Sequence, residues 1–291
     1  MSYAKHTELK DTIKRALAED IGRGDITTKA LFSHDKYIHA VILAGEEGII
    51  CGIDIARLVF KTQNNNVRFI SHVKDAERIK KGQALATLYG KASDILPAER
   101  TALNFLGLLS GIATRTEKFV NKIKRYKVKI MDTRKTIPGL RQLEKYAVKC
   151  GGGYNHRFRL DEMVLIKENH LIASCPGNFI SSIPELVNTV KEKKPKGSKL
   201  EIEVKNLREL NKALKAEPDI IMLDNMKIDD IKKAVILRNK SQRPKRNTIL
   251  EASGNINLRN ICAYVQTGVD VISLGTLTKD VCSLDLSLEI S

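Results

Sequence analysis

From about residue 128 onward, short apolar runs rich in β-branched residues alternate with longer stretches that mix polar and apolar positions. The runs predict strands over 128–131, 163–166, 200–204, 220–223, 248–251 and 271–274. The stretches between them predict helices near 140–149, 183–194, 206–215, 228–239 and 257–267. Strands that are apolar almost throughout are buried on both faces, and a repeated strand-then-helix order builds a parallel sheet covered by helices. The first 110 residues read differently. Strands are predicted over 37–44, 67–73 and 84–88, with Gly45, Gly48, Gly52, Gly82 and Gly90 marking turns. Residues 96–126 predict one long helix or more, with a break expected at Ser110-Gly111.

The residues at the exits of the later strands narrow the fold. In order they are Asp132-Thr133-Arg134-Lys135, Lys167-Glu168-Asn169-His170, Lys205-Asn206, Asp224-Asn225, Ser253-Gly254-Asn255 and Gly275-Thr276. A doubly wound sheet gathers its ligand residues at one switch point. A (β/α) barrel places them at the C-terminal mouth of every strand. The recurrence therefore favours a barrel, and six strands point to an incomplete, open one. A separate α+β domain is expected ahead of it.

Composition changes this picture only in part. The chain has 291 residues, 42% of them hydrophobic and 29% charged, an ordinary globular balance. No apolar run is long enough for a membrane span. The charged start, MSYAKHTELKDTIKRALAED, lacks the apolar core of a secretion signal. Cys51, Cys150, Cys175, Cys262 and Cys282 are scattered and show no C-x-x-C spacing, so reduced thiols and a cytoplasmic location are expected, without a zinc site or disulfide frame. Fifty Lys and Arg against 34 Asp and Glu give a formal charge of +16, which attracts anions of many kinds. Aromatics make up only 5% and Trp is absent, which disfavours stacking on nucleic-acid bases. The lysine-rich stretches 191–194 and 240–246 read as solvated faces. Neither nucleic acid nor membrane is expected as a partner.

The densest chemistry lies in 132–170, which carries Arg134, Lys135, Arg141, Lys145, Lys149, Arg157, Arg159 and Lys167 with His156 and His170. Arginine offers a planar fork to a carboxylate or phosphate, and lysine a compact charge. Several such cations at one mouth repel each other unless a polyanion neutralises them. Gly151-Gly152-Gly153 lets backbone approach a ligand. Loops such as Ser253-Gly254-Asn255 and Gly275-Thr276, after the last two strands, often hold a phosphate in barrels. Glu203 and Asp224 end neighbouring strands, suited to Mg2+, to ribose hydroxyls or to a cationic centre. Nearby cations oppose the raised pKa that acid–base work would need. His156, inside the basic segment, is the candidate ligand histidine, whereas His34, His39 and His72 read as surface or packing residues.

The runs from Asp132 to Arg141, Asn155-His156-Arg157, Lys167 to His170, Glu203, Leu223-Asp224-Asn225, Glu251 to Ile256 and Thr267 to Asp270 together resemble the quinolinate phosphoribosyltransferases. Gly24 to Thr28 and Glu99 to Asn104 match upstream, so the resemblance spans nearly the whole chain in order. It implies an open α/β barrel of the type II phosphoribosyltransferase kind over 113–276, and an N-terminal α/β-sandwich domain over 1–112 joined by 277–291. It implies transfer of phosphoribosyl from phosphoribosyl pyrophosphate to quinolinate, with Mg2+, giving nicotinate mononucleotide, CO2 and pyrophosphate. Arg134, Lys135, His156 and Arg157 are then expected on the quinolinate carboxylates, with Thr133 also binding substrate. Lys135, Lys167, Glu203 and Asp224 are the implied catalytic residues, Lys167 near pyrophosphate and ribose. Glu203 and Asp224 stand near ribose and metal, directly or through water. Ser253, Gly254, Asn255, Leu274, Gly275 and Thr276 would take the 5′-phosphate. Arg100 is expected to reach the site of a second copy in a homodimer, alone or within a dimer-based hexamer. Asn255 and Arg159 depart from the family pattern, where glycine is common. A related barrel acting on another acid would be expected to have lost one of these contacts, and none is lost.

Overall fold

A computed structural model describes residues 6–32, 36–177, 179–241 and 248–290. In chain order the elements are α1 (His6–Ile21), α2 (Ile26–Leu31), β1 (Tyr37–Ala44), β2 (Gly48–Ile49), α3 (Ile53–Gln63), β3 (Arg68–Ser71), β4 (Arg78–Ile79), β5 (Ala84–Lys91) and α4 (Ala92–Lys122). Next come β6 (Lys129–Met131), α5 (Arg141–Cys150), β7 (Val164–Ile166), α6 (Glu168–Ser174), α7 (Phe179–Lys193), β8 (Leu200–Val204) and α8 (Leu207–Lys215). The chain closes with β9 (Ile220–Asp224), α9 (Ile228–Ser241), β10 (Ile249–Ser253), α10 (Ile261–Val265), β11 (Val271–Ser273), α11 (Thr276–Lys279) and β12 (Leu286–Ile290). Two compact units result, one of 1–117, 136–152 and 277–291, the other of 118–135 and 153–276.

The first unit is built on an antiparallel sheet of order β12-β1-β5-β3, with a β2-β4 ribbon. The last strand of the chain thus pairs with the first. Ile38, Ala40, Ile42 and Ala44 alternate inward along β1, as a sheet with one packed face requires. The break expected at Ser110-Gly111 does not exist, because α4 runs unbroken for 31 residues. A Cβ added to Gly111 would meet the Cys282 carbonyl oxygen at 2.1 Å, so this glycine admits a close backbone approach rather than a bend. Ser110 is buried beside it, its hydroxyl accepting from the Cys51 N–H at 3.0 Å.

The second unit holds six parallel strands in the order β6-β11-β10-β9-β8-β7. β6 and β7 are its two edges, so the sheet curls without closing, which is the open α/β barrel that the strand count predicted. Successive side chains point to opposite faces of a strand. Ile202, Val204, Ile221, Leu223, Leu250, Ala252 and Ile272 are wholly buried on one face. The alternate set on the other face contains Glu201 and Glu203 of β8, Met222 and Asp224 of β9, and Glu251 and Ser253 of β10. Asp224 pairs in register with Ser253, and Ser253 with Ser273, so these polar residues share one level near the strand ends.

Two helices of the second unit differ from expectation. α6, directly after β7, has no apolar periodicity long enough to announce it; it is started by Lys167 and His170, whose Nδ1 accepts from the Lys167 N–H at 2.9 Å. The helix expected over 257–267 shrinks to α10, because Asn257 and Asn260 bond neighbouring backbone N–H groups and hold a turn ahead of it. His39 and His72 are exposed, as expected, while His34 and most of the basic run 240–246 lie outside the described residues. Lys191 and Lys194 are half-buried and donate to the carbonyls of Ala216 and Ser198, so that face is less solvated than its charge suggested. No helix of the described residues is long and apolar enough to cross a membrane.

Candidate active site

At the C-terminal ends of the parallel strands lies a cavity of about 330 Å3. It is lined by Thr133, Arg134, Lys135, His156, Arg157, Lys167, Glu203, Asp224 and Ser253, together with Leu165, Met222, Glu251 and Ser273. Nine residues singled out from the sequence thus meet in one place. Leu274, Gly275 and Thr276 continue from β11 outside the lining, with Gly275 packed against Lys135 and Thr133. Arg100 is not among the lining residues; it is exposed on α4, in the first unit.

The loop after β6 is fixed from below. Asp132 is fully buried, and its Oδ1 accepts from the His156 N–H at 2.8 Å. The Tyr154 N–H donates to the Ile130 carbonyl at 2.8 Å, and the Asp132 N–H to the Tyr154 carbonyl at 3.0 Å. These bonds hold 154–156 against the end of β6, so that Arg134 and Arg157, well separated in sequence, face the same space. Burial, and then the charge of Arg134, lower the pKa of Arg157. Two half-buried guanidiniums that disfavour each other give this space a charge suited to an anion. Arg157 is braced by the Met163 carbonyl at 2.9 Å.

His156 is nine-tenths buried, and both ring nitrogens are engaged. Nδ1 accepts from the Arg157 N–H at 2.9 Å, which assigns the ring proton to Nε2. Nε2 faces Glu201 Oε2 at 3.0 Å and Glu251 Oε2 at 3.6 Å. Glu201 was not singled out in the sequence, and Glu251 only as part of the family-like run and without a role, although their positions carried a signal. Glu201 sits two residues before Glu203 in an otherwise apolar strand, so both point to the same side. Burial, with the neighbouring charge of Glu201, pushes the Glu251 carboxyl up to about 7.

At the rim, Lys167 Nζ is 3.5 Å from Glu203 Oε2. Asp224 Oδ2 accepts from the Asn225 side-chain amide at 3.0 Å. Glu203 and Asp224 are partly exposed oxygen donors on adjacent strands, the donor type that Mg2+ selects when waters and phosphate oxygens complete its shell. Asn255 has φ +51°, a left-handed conformation that asparagine tolerates better than most residues, which explains its place where glycine is common. Gly254 precedes it at φ +97°, and a Cβ there would strike the Asn225 side chain at 2.2 Å. Arg159, the other departure, is exposed with its guanidinium 5.5 Å from the Phe158 ring centroid, and is not in the lining.

Two family models match the chain: quinolinate phosphoribosyl transferase, N-terminal domain, over residues 25–110, and the C-terminal domain of the same description over residues 112–289. A probable nicotinate-nucleotide pyrophosphorylase [carboxylating] of Bacillus subtilis is 40% identical over 286 residues, covering 98% of this chain and 94% of the relative. A nicotinate-nucleotide pyrophosphorylase [carboxylating] of Mycobacterium leprae is 39% identical over the full length of both chains. The solved structure of the Francisella tularensis nicotinate-nucleotide pyrophosphorylase superposes with a TM-score of 0.89 at 41% identity, covering 98% of this chain and 96% of that one.

Proposed function

This chain belongs to the quinolinate phosphoribosyltransferase family, and from that premise we propose that it converts quinolinate and phosphoribosyl pyrophosphate into nicotinate mononucleotide, CO2 and pyrophosphate. The observation that carries this reading is the convergence of Arg134, Lys135, Arg157 and Lys167 on one cavity with Glu203 and Asp224 at its rim. A dicarboxylate and a polyphosphorylated ribose are together the kind of substrate pair that such a cavity neutralises.

Arg134 and Arg157 hold the two quinolinate carboxylates, with Lys135 beside them, and so direct the ring nitrogen at the anomeric carbon of the ribose. Thr133 Oγ1 accepts from the Lys135 N–H at 3.1 Å, keeping that loop compact under the substrate. His156, held by Glu201 and Glu251, presents its ring as a fixed wall and positions Arg157 through the bond at Nδ1. As the C–O bond to pyrophosphate breaks, positive charge grows on the ribose, and Glu203 and Asp224 stabilise it. Lys167 meets the departing negative charge. Mg2+, held by Glu203 and Asp224 directly or through water, supplies further charge neutralisation on pyrophosphate when bound. The loops 253–255 and 274–276 take the 5′-phosphate. CO2 then leaves from the ring carbon next to the positively charged nitrogen; the electron pair of the broken C–C bond stays on that carbon, stabilised by the adjacent positive charge, and a proton from water takes the place of the lost carboxylate.

The proposed assembly is a homodimer or dimer-based hexamer in which the exposed Arg100 enters the cavity of a second copy. The proposed location is the cytoplasm, where thiols rest reduced in the absence of an oxidant. Incubation with quinolinate, phosphoribosyl pyrophosphate and Mg2+, with chromatographic detection of the product, tests the proposal. Nicotinate mononucleotide should accumulate, and its absence with intact, folded protein would overturn the reading.

A further inference from the structure

The five cysteines are scattered along the sequence, yet the fold of the first unit brings two of them together. The Cys51 and Cys150 sulfurs lie within 4.8 Å of each other. Cys51 comes after β2 and is wholly buried, whereas Cys150, the last residue of α5, is partly exposed. Cys150 lies with Tyr146, Asp75 and His72 in the wall of a cavity of about 680 Å3, separate from the basic one and formed within the first unit alone. A small oxidant therefore has a route to one sulfur while the other waits behind it.

We propose that Cys150 and Cys51 form a peroxide-sensitive thiol pair, Cys150 being attacked first and Cys51 closing a reversible disulfide. The Cys150 thiolate displaces hydroxide from hydrogen peroxide: an S–O bond forms, the O–O bond breaks, and the sulfur becomes a sulfenic acid. Cys51 sulfur then attacks that sulfur, the S–O bond breaks, and the oxygen leaves as water with the Cys51 proton. Two thiols and one peroxide thus give one disulfide and two waters, and an external thiol reverses the change by exchange.

The asymmetry of the pair supports this order. The neighbouring Cys51 thiol lowers the Cys150 pKa despite the opposing effect of burial. Burial, and then the neighbouring Cys150, raise that of Cys51 well above the ordinary thiol value. A reactive thiolate is the one with the lowered pKa and open access, and the resolving thiol sits against it.

Asp75 completes a cluster of three groups whose geometry also suits a thiophilic cation. Its oxygens are already committed, however. Oδ1 accepts from the Gly52 and Ile53 N–H groups at 2.9 and 3.0 Å, at the start of α3, and Oδ2 accepts from the Tyr146 hydroxyl at 2.7 Å. A carboxylate so held serves the backbone and Tyr146, and the negative charge it adds near the sulfurs opposes thiolate formation rather than promoting it. The redox reading is favoured for that reason.

The test treats the reduced full chain with hydrogen peroxide and tracks each cysteine by peptide mass spectrometry, with exposed Cys282 as the internal reference. Cys150 should react roughly tenfold faster than Cys282. A Cys51–Cys150 cross-linked peptide should appear and vanish on addition of dithiothreitol. In Cys51→Ala the reaction should stop at a sulfenic acid on Cys150, trapped by dimedone. Oxidation of Cys282 without the cross-link in the wild-type chain would overturn the proposal. So would stoichiometric zinc that is released only when the pair is alkylated.

Discussion

His156 Nε2 stands 3.0 Å from Glu201 Oε2, beneath a cavity whose other charged residues are mostly cations. The ring is therefore held from behind by buried carboxylates, one of which, Glu251, keeps its proton to about pH 7 because burial and Glu201 disfavour its charge. Its carboxyl is raised in the folded chain, so the folded state binds the proton that the unfolded state has already lost. Stability should then fall as pH rises from the ordinary value of 4.5 to about 7, and level off above it. Thermal unfolding of the wild type should show that slope, and Glu251→Gln should lose it. An unchanged slope in the variant would show that Glu251 is not its source.

Arg134 and Arg157 are expected to act through binding. Replacing either with Ala should raise KM for quinolinate roughly 10- to 100-fold, since a charge-assisted hydrogen bond contributes about 1.5–3 kcal/mol. KM for phosphoribosyl pyrophosphate should move far less. Arg157→Lys should recover little, because an ammonium cannot reproduce a planar fork. Steady-state kinetics with each substrate varied separately measures both effects.

Glu203 and Asp224 should instead affect turnover. Asp224→Asn or Glu203→Gln should lower kcat by roughly 100-fold, as loss of a group stabilising transition-state charge does, while quinolinate binding measured by calorimetry stays close to the wild type. Removal of divalent cations with EDTA should abolish turnover, and added Mg2+ should restore it.

Arg100 tests the shared site. Arg100→Ala and Lys167→Ala should each be nearly inactive alone. After subunit exchange between equal amounts, about half the dimers are hybrids with one intact site of two, giving about a quarter of wild-type activity. No recovery despite demonstrated exchange would exclude donation of Arg100 by a second copy.

Much of the barrel was legible because its strands are buried on both faces and so stand out as apolar runs, each leading into polar residues at the rim. Thr133, Arg134, Lys167, Asp224 and Ser253 were visible for that reason. Glu201 and Glu251 were harder to see. A carboxylate inside an apolar strand gains meaning only when the parallel register sets three strands side by side with the loop carrying His156. Gly111 misled because a glycine in a helix looks alike in sequence whether it bends the helix or admits a neighbouring backbone. Cys51 and Cys150 meet only through the fold of the first unit, and nothing in their spacing announces it.

The central claim is that the arginine pair selects a dicarboxylate and that the reaction removes one of its carboxyl groups. It is tested most directly by measuring CO2 released per mononucleotide formed, with quinolinate and nicotinate offered in separate assays with phosphoribosyl pyrophosphate and Mg2+. One CO2 for each nicotinate mononucleotide from quinolinate, and negligible turnover of nicotinate, is the result predicted. Equal or faster turnover of nicotinate, with no CO2, would contradict it.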